Sequence, residues 1–264
     1  AGAGVGAITN NPLFASTTPA SPNFLRLSAG SPCIDKGDPA DPIPAGGGTR
    51  IDMGAYEYIQ YTPTNYYVND GFTPGDLYTT AVGNDANDGK TPATPKRTLT
   101  NLLRVYDVDR GDVIYVDTGT NAYPVRLTNA DADGWSSAPL TITGPTNGAV
   151  ALFAGIAGHR DGFLLSNAVN VHVRALTFRG YTNGIRIVGS SATNRIYGVR
   201  ARSNDQYGIR IDGPAADRNT LFSNFIEGAS GAQDFGIAIS DGDVNVVTNN
   251  TISRHGVYGI SLIG

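Results

Sequence analysis

The sequence predicts an all-β solenoid, a parallel β-helix with 22–28 residues per coil. Two observations carry that fold class. The phrases Gly184-Ile185-Arg186-Ile187, Gly208-Ile209-Arg210-Ile211, Gly236-Ile237-Ala238-Ile239 and Gly259-Ile260-Ser261-Leu262 recur, with Asp161-Gly162-Phe163-Leu164-Leu165 as a looser fifth copy. Their glycines stand 22, 24, 28 and 23 residues apart, the spacing of repeats that bury an apolar face only against their neighbours. Within each phrase the apolar residues alternate, which is the period of a short strand with one buried face. A second segment follows eight to eleven residues after each glycine: Asn170-Val171-His172-Val173, Asn194-Arg195-Ile196-Tyr197, Asn219-Thr220-Leu221-Phe222 and Asn245-Val246-Val247-Thr248. With no ten-residue helix between phrases, leucine-rich, ankyrin and armadillo repeats are excluded.

Residues 1–58 read as a loop-rich segment of different character. They run through Asn11-Pro12-Leu13-Phe14, Phe24-Leu25-Arg26-Leu27 and Ser31-Pro32-Cys33-Ile34-Asp35-Lys36-Gly37-Asp38 to Asp52-Met53-Gly54-Ala55-Tyr56-Glu57-Tyr58. Residues 59–82 form a linker and an opening strand, Tyr66-Tyr67-Val68. From residue 83 the coils begin. Leu99, Leu102, Leu103 and Tyr106 share one face of a short capping helix, and Thr98 suits its N-cap. Gly111-Asp112-Val113-Ile114-Tyr115-Val116, Pro139–Thr143 and Val150–Phe153 supply further strands. The isoleucines of the phrases, Ile260 included, form inward ladders over five to six turns. Asn224 and Asn250, each five residues after a second-segment Asn, stack at turns. Glu227–Gln233 bulges from a corner, and Tyr207, Phe235 and Tyr258 make an aromatic column.

The order NPLF, FxLxxGSPxIDxGD and DxGAYEY resembles the segment that closes the C-terminal end of many secreted, right-handed parallel β-helix (pectin-lyase-like) repeat proteins, common in large bacterial surface proteins. The order NDxNDG, short helix, GDxIYV resembles the opening of the same family. The resemblance covers almost the whole chain. It implies an inverted order: the closing segment of one unit, then the head of the next, with coils that break off at Gly264. It also implies a secreted or cell-surface location.

Composition narrows the function. Net charge is −4 with no basic stripe of the kind a phosphate backbone needs, so nucleic acid is not an expected partner. No apolar run reaches the ~18 residues of a membrane span. Cys33 is alone and reads as a small buried filler. His159, His172 and His255 lack zinc-ligand spacing; His255, at a turn, reads as a solvated residue or as a general base.

The remaining candidates are ligand sites. Arg186 and Arg210 occupy one outward position on adjacent coils, where two guanidinium groups can bind the carboxylates of an acidic polysaccharide or stand solvated beside Asp205 and Asp212. Trp135, in a polar loop, packs over the coil edge or stacks on a sugar ring. Asp85, Asn87 and Asp88, and separately Asp241 and Asp243, offer oxygens to Ca²⁺; the same residues beside glycine also make Asx turns. No cofactor is required by these motifs. Two functions follow. The favoured one is a structural or adhesive module of a large exported protein, partnered by neighbouring β-helix units or by copies of itself end to end. The alternative is a carbohydrate-active protein of the uronate lyase or epimerase kind, acting on polysaccharide along the outer face.

Overall fold

Short strands of β-branched residues and turns rich in Asn and Gly leave this chain one economical way to bury its apolar face: stacking coil on coil. The computed structural model describes residues 9–19, 24–43, 48–58, 62–109, 111–121, 123–128, 138–155, 159–229 and 233–263. The chain divides into two compact units, Ala1–Thr62 and Pro63–Gly264.

In the first unit the closing motif works through its carboxylates. Asp35 Oδ1 accepts from the Thr49 and Arg50 amides at 2.6 and 2.9 Å, and Asp52 accepts from the Asp35 and Tyr58 amides. Glu57 accepts in turn from the Asp52 amide at 2.9 Å. Cys33 is buried, as a small filler should be.

The second unit is the β-helix. An opening strand β1 (Asn65–Val68) and helix α1 (Leu99–Val105) precede the coils. The first coil holds β2 (Val113–Val116), β3 (Gly119–Asn121) and β4 (Val125–Thr128). The second holds β5 (Leu140–Thr143), β6 (Ala151–Ala154) and β7 (Asp161–Ser166), the third β8 (Val171–Arg174), β9 (Leu176–Arg179) and β10 (Asn183–Val188). The fourth holds β11 (Arg195–Tyr197), β12 (Arg200–Arg202) and β13 (Tyr207–Asp212), the fifth β14 (Thr220–Phe222), β15 (Phe225–Glu227) and β16 (Phe235–Ser240). The last holds β17 (Val246–Thr248), β18 (Thr251–Ser253) and β19 (Tyr258–Ile263).

Each coil gives one strand to each of three parallel sheets. Sheet one runs β1-β2-β5-β8-β11-β14-β17, sheet two β3-β6-β9-β12-β15-β18 and sheet three β4-β7-β10-β13-β16-β19, about five turns in all. The repeated phrases lie in sheet three and stack in register, Ile185 on Ile209 on Ile237 and Ile187 on Ile211 on Ile239. Those six side chains are buried, and each contributes about 1.5–3 kcal/mol of transfer free energy before entropy is subtracted. The repeated glycines have a steric cause. A Cβ on Gly184 would lie 2.6 Å from the Gly208 carbonyl oxygen, and one on Gly236 would lie 2.4 Å from that of Gly259.

Two asparagine ladders close the turns. Asn219 Oδ1 accepts from the Asn194 amide at 3.1 Å, and Asn245 Oδ1 from the Asn219 amide at 2.9 Å. At the next corner Asn224 Oδ1 serves the Val199 amide, and Asn250 Oδ1 the Asn224 amide. A third, mixed ladder stands where a surface bulge is expected. Ser230–Ala232 lie outside the described residues, but Gln233 is wholly buried and its Oε1 accepts from the Asn204 amide at 3.1 Å. Gln233 therefore stands in for an asparagine.

The first coil is covered. Thr98 caps α1 by accepting from the Asn101 amide, and Leu99, Leu102 and Leu103 enter the core beside β4. Buried Asp117 accepts from the amides of Leu77, Tyr78 and Thr79, fastening the 70–80 loop. The last coil keeps the register, with Ile260 on Ile237 and Leu262 on Ile239. Ile260 is 49% exposed and Leu262 73% exposed, because no further rung lies over β19 among the described residues.

Candidate functional site

Sheet three presents its outward residues at alternate positions, so the strand register decides what meets there. Arg186 pairs with Arg210 across β10 and β13, as the repeat spacing implies. Both guanidinium groups already hold a carboxylate. Arg186 Nε lies 2.8 Å from Asp212 Oδ2, and Arg210 Nε lies 2.6 Å from Asp212 Oδ1. Arg186 also reaches Asp161 at 3.8 Å, and Asn183 Nδ2 donates to Asp161 Oδ1 at 2.5 Å. Arg210 lies over the Tyr207 ring, 4.7 Å from its centroid. Asp212, not Asp205, is thus the partner. Two arginines and two aspartates sum to zero charge, and an incoming carboxylate would have to displace Asp212.

The next rungs carry Ala238 and Ser261 in the arginine column, so the cationic pair is confined to two coils. Beside it Tyr207 stacks on Phe235 at 5.0 Å, and Phe235 on Tyr258 at 6.1 Å. Asn183 is wholly buried in this network, and its Oδ1 has no donor.

The acidic loop at Asp85–Asp88 is tied up by the chain itself. Asp85 accepts from the Arg97 and Thr98 amides, both at 3.0 Å, and Asp88 Oδ1 from the Lys90 amide and the Thr94 hydroxyl. Asn87 Nδ2 donates to the Pro95 carbonyl. Lys96 is buried, and its ammonium donates to the carbonyl oxygens of Asp85 at 3.0 Å and Asn87 at 2.5 Å. A covalently attached cation therefore faces the loop interior. Asp241 and Asp243 lie on the exposed turn after β16, where the Asp243 amide donates to Asp217. Among the described residues no three His, Cys, Asp or Glu side chains are grouped to hold a metal. Trp135 lies outside the described residues.

The histidines stand apart. His255 is half-buried rather than a freely solvated turn residue. Its Nδ1 lies 3.3 Å from Gln233 Nε2, its Nε2 is buried without a partner, and burial lowers its pKa. His172 faces outward from β8, its pKa lowered by burial, then by the charges of Arg195 and Arg174.

That last effect marks a feature the sequence reading passed over. Arg174, Arg179, Arg195, Arg200 and Arg202 all point outward from sheets one and two on the third and fourth coils. None has an ion-pair partner among the described residues. The signal was present, as basic residues at alternating places: His172 and Arg174 in one strand, Arg200 and Arg202 in another.

A family model described as "Periplasmic copper-binding protein (NosD)" matches residues 107–264, the coils themselves. No curated protein matches the chain. Among solved structures it is similar to a pectate lyase, Pel9A, with TM-score 0.49 and 14% identity over 74% of this chain and 56% of that one. It is also similar to an alginate lyase from Paenibacillus sp. str. FPU-7, with TM-score 0.41 and 14% identity over 58% of each chain. The chain thus spans less than two thirds of either.

Proposed function

The chain belongs to the NosD family, and from that premise we propose that it serves as a structural or adhesive β-helix module of an exported protein, stacking through its last coil on another β-helix unit or on a second copy. The family's description as periplasmic supports an exported location, and no helix among the described residues is long and apolar enough to cross a membrane.

One observation carries the stacking. Strands β17, β18 and β19 contain no charged residue or proline, and Val246, Tyr258, Ile260, Leu262 and Ile263 are exposed along them. Edge strands that must stay single are ordinarily blunted by charge, proline or a bulge. This edge lacks the first two. Helix α1 packs beside β4 at the first coil, so within this unit the uncovered edge is β17, β18 and β19, and two copies that pair through it meet tail to tail. Such a contact is closed and two-fold, and gives a pair rather than a growing filament.

Copper does not enter this function. The metal takes thiolate, thioether or imidazole donors. Cys33 and Met53 belong to the first unit. In the second, His159 precedes β7, His172 points outward from β8 and His255 faces Gln233 in the last coil. The three imidazoles of the second unit lie on different coils and do not converge on one copper ion, and no copper step is assigned.

Sedimentation velocity across a wide concentration range tests the stacking. The expected result is reversible dimerisation that Leu262→Lys abolishes while the melting temperature stays within a few degrees. A monomer at every concentration would overturn it.

A further inference from the structure

The outward face of sheets one and two carries a groove that nothing described so far uses. Its origin is a mismatch of turn lengths. The β8–β9 turn is Ala175 alone, and the β11–β12 turn is Gly198 and Val199, whereas β5 and β6 are joined by residues 144–150. The longer connection overhangs the shorter turns and encloses an open groove of about 330 Å³. That is the lower end of the size range of small-molecule sites. Pro145, Gly148 and Val150 form one wall; Arg174, Tyr197 and Arg200 line the rest.

The groove is cationic and partly pre-organised. Arg174 donates its Nε to Thr143 Oγ1 at 3.1 Å, and that hydroxyl donates to the Gly144 carbonyl at 2.9 Å. The guanidinium is thereby fixed while its terminal amino groups have no partner among the described residues. Arg200 is exposed with no side-chain partner among the described residues. On the same strand Arg202 has a buried Nε with no acceptor. Glu227, which pairs in register with Arg202, is already committed to Arg254 at 3.0 Å. The five arginines of this face are thus uncompensated in a chain whose net charge is −4. The pKa of His172 is lowered first by burial and then by the charges of Arg195 and Arg174. Tyr197, stacked on Phe222 with centroids 4.7 Å apart, gives the groove a rigid aromatic wall.

We propose that this groove binds a phosphate monoester carried on a compact ring, such as a sugar phosphate. A phosphoryl group brings three acceptor oxygens and close to two negative charges, so it can take donors from Arg174 and Arg200 on adjacent coils at once. A carboxylate has two oxygens, which a single guanidinium fork satisfies. The ring packs against Tyr197. This face is separate from the Arg186–Arg210 network on sheet three, whose charges are internally balanced.

Isothermal titration at low ionic strength with glucose 6-phosphate, glucuronate and glucose separates the chemistries on one ring. Glucose 6-phosphate should bind, inorganic phosphate should compete with it, glucuronate should bind about tenfold more weakly or worse, and glucose should not bind. Arg200→Ala and Arg174→Ala should each weaken glucose 6-phosphate by about tenfold or more, the scale of one charge-assisted contact. Arg186→Ala should leave it unchanged. Arg200 is exposed, so its variant should melt with the wild type. Absence of glucose 6-phosphate binding at millimolar concentration would overturn the proposal. So would equal affinity for glucuronate, or an Arg200→Ala variant that binds as the wild type does.

Discussion

Tyr181 illustrates how finely single side chains are balanced inside the coils. It is wholly buried, its hydroxyl has no partner among the described residues, and burial pushes its pKa up to about 12. A buried hydroxyl without an acceptor is a net cost, whereas its ring is among the largest groups in the core. Tyr181→Phe should therefore keep the packing and raise stability by about 1 kcal/mol, read as a higher melting temperature; a clear loss would mean the hydroxyl has a hidden partner. At this scale the sequence was informative about direction. Alternation placed Ile185, Ile187, Ile209, Ile211, Ile237 and Ile239 inward, and all six are buried. It could not say what lies above a given rung, and so Ile260 was assigned to a ladder that leaves it exposed. Nor could it foresee that Lys96 would bury its ammonium against Asp85 and Asn87, because side-chain reach across a folded loop has no period.

Among the elements, legibility follows length. The six-residue strands β7, β10, β13, β16 and β19 hold enough alternating positions to show a period, and α1 shows both its apolar stripe and its cap. Strands β12, β15 and β18 have three residues each, with a single inward side chain: Ala201, Ile226 and Ile252. One apolar residue carries no period, so this part of sheet two was hidden. The same brevity concealed the arginines of β12. The asparagine ladders were readable in part, since Asn219, Asn245, Asn224 and Asn250 recur at matched offsets. Their energetic weight is testable. Asn219 Nδ2 donates to the Ser191 carbonyl at 3.0 Å, and its Oδ1 accepts from the Asn194 amide at 3.1 Å. Asn219→Ala leaves the Ser191 carbonyl and the Asn194 amide, both on the β10–β11 turn of the preceding coil, unsatisfied. The expected loss is about 2–4 kcal/mol in urea denaturation, from two such groups at the usual cost of each.

Across the whole β-helix, stability is carried by contacts between neighbouring coils, so it need not be uniform along the axis. Residues of β10 and β13 have a coil on either side, whereas β17, β18 and β19 have one side exposed. Hydrogen exchange should show slowest amides in β10 and β13 and progressively faster ones towards β19, at protein concentrations low enough to keep copies apart; uniform protection would mean the coils open only as a single block. The opposite pole is built otherwise. With Lys96 seated among the Asp85 and Asn87 carbonyls, its charge is tethered by a chain of methylenes and has no dissociation constant to satisfy. Held by a tether rather than by an exchangeable ion, this loop should keep the same amide protection in a chelator as in plain buffer.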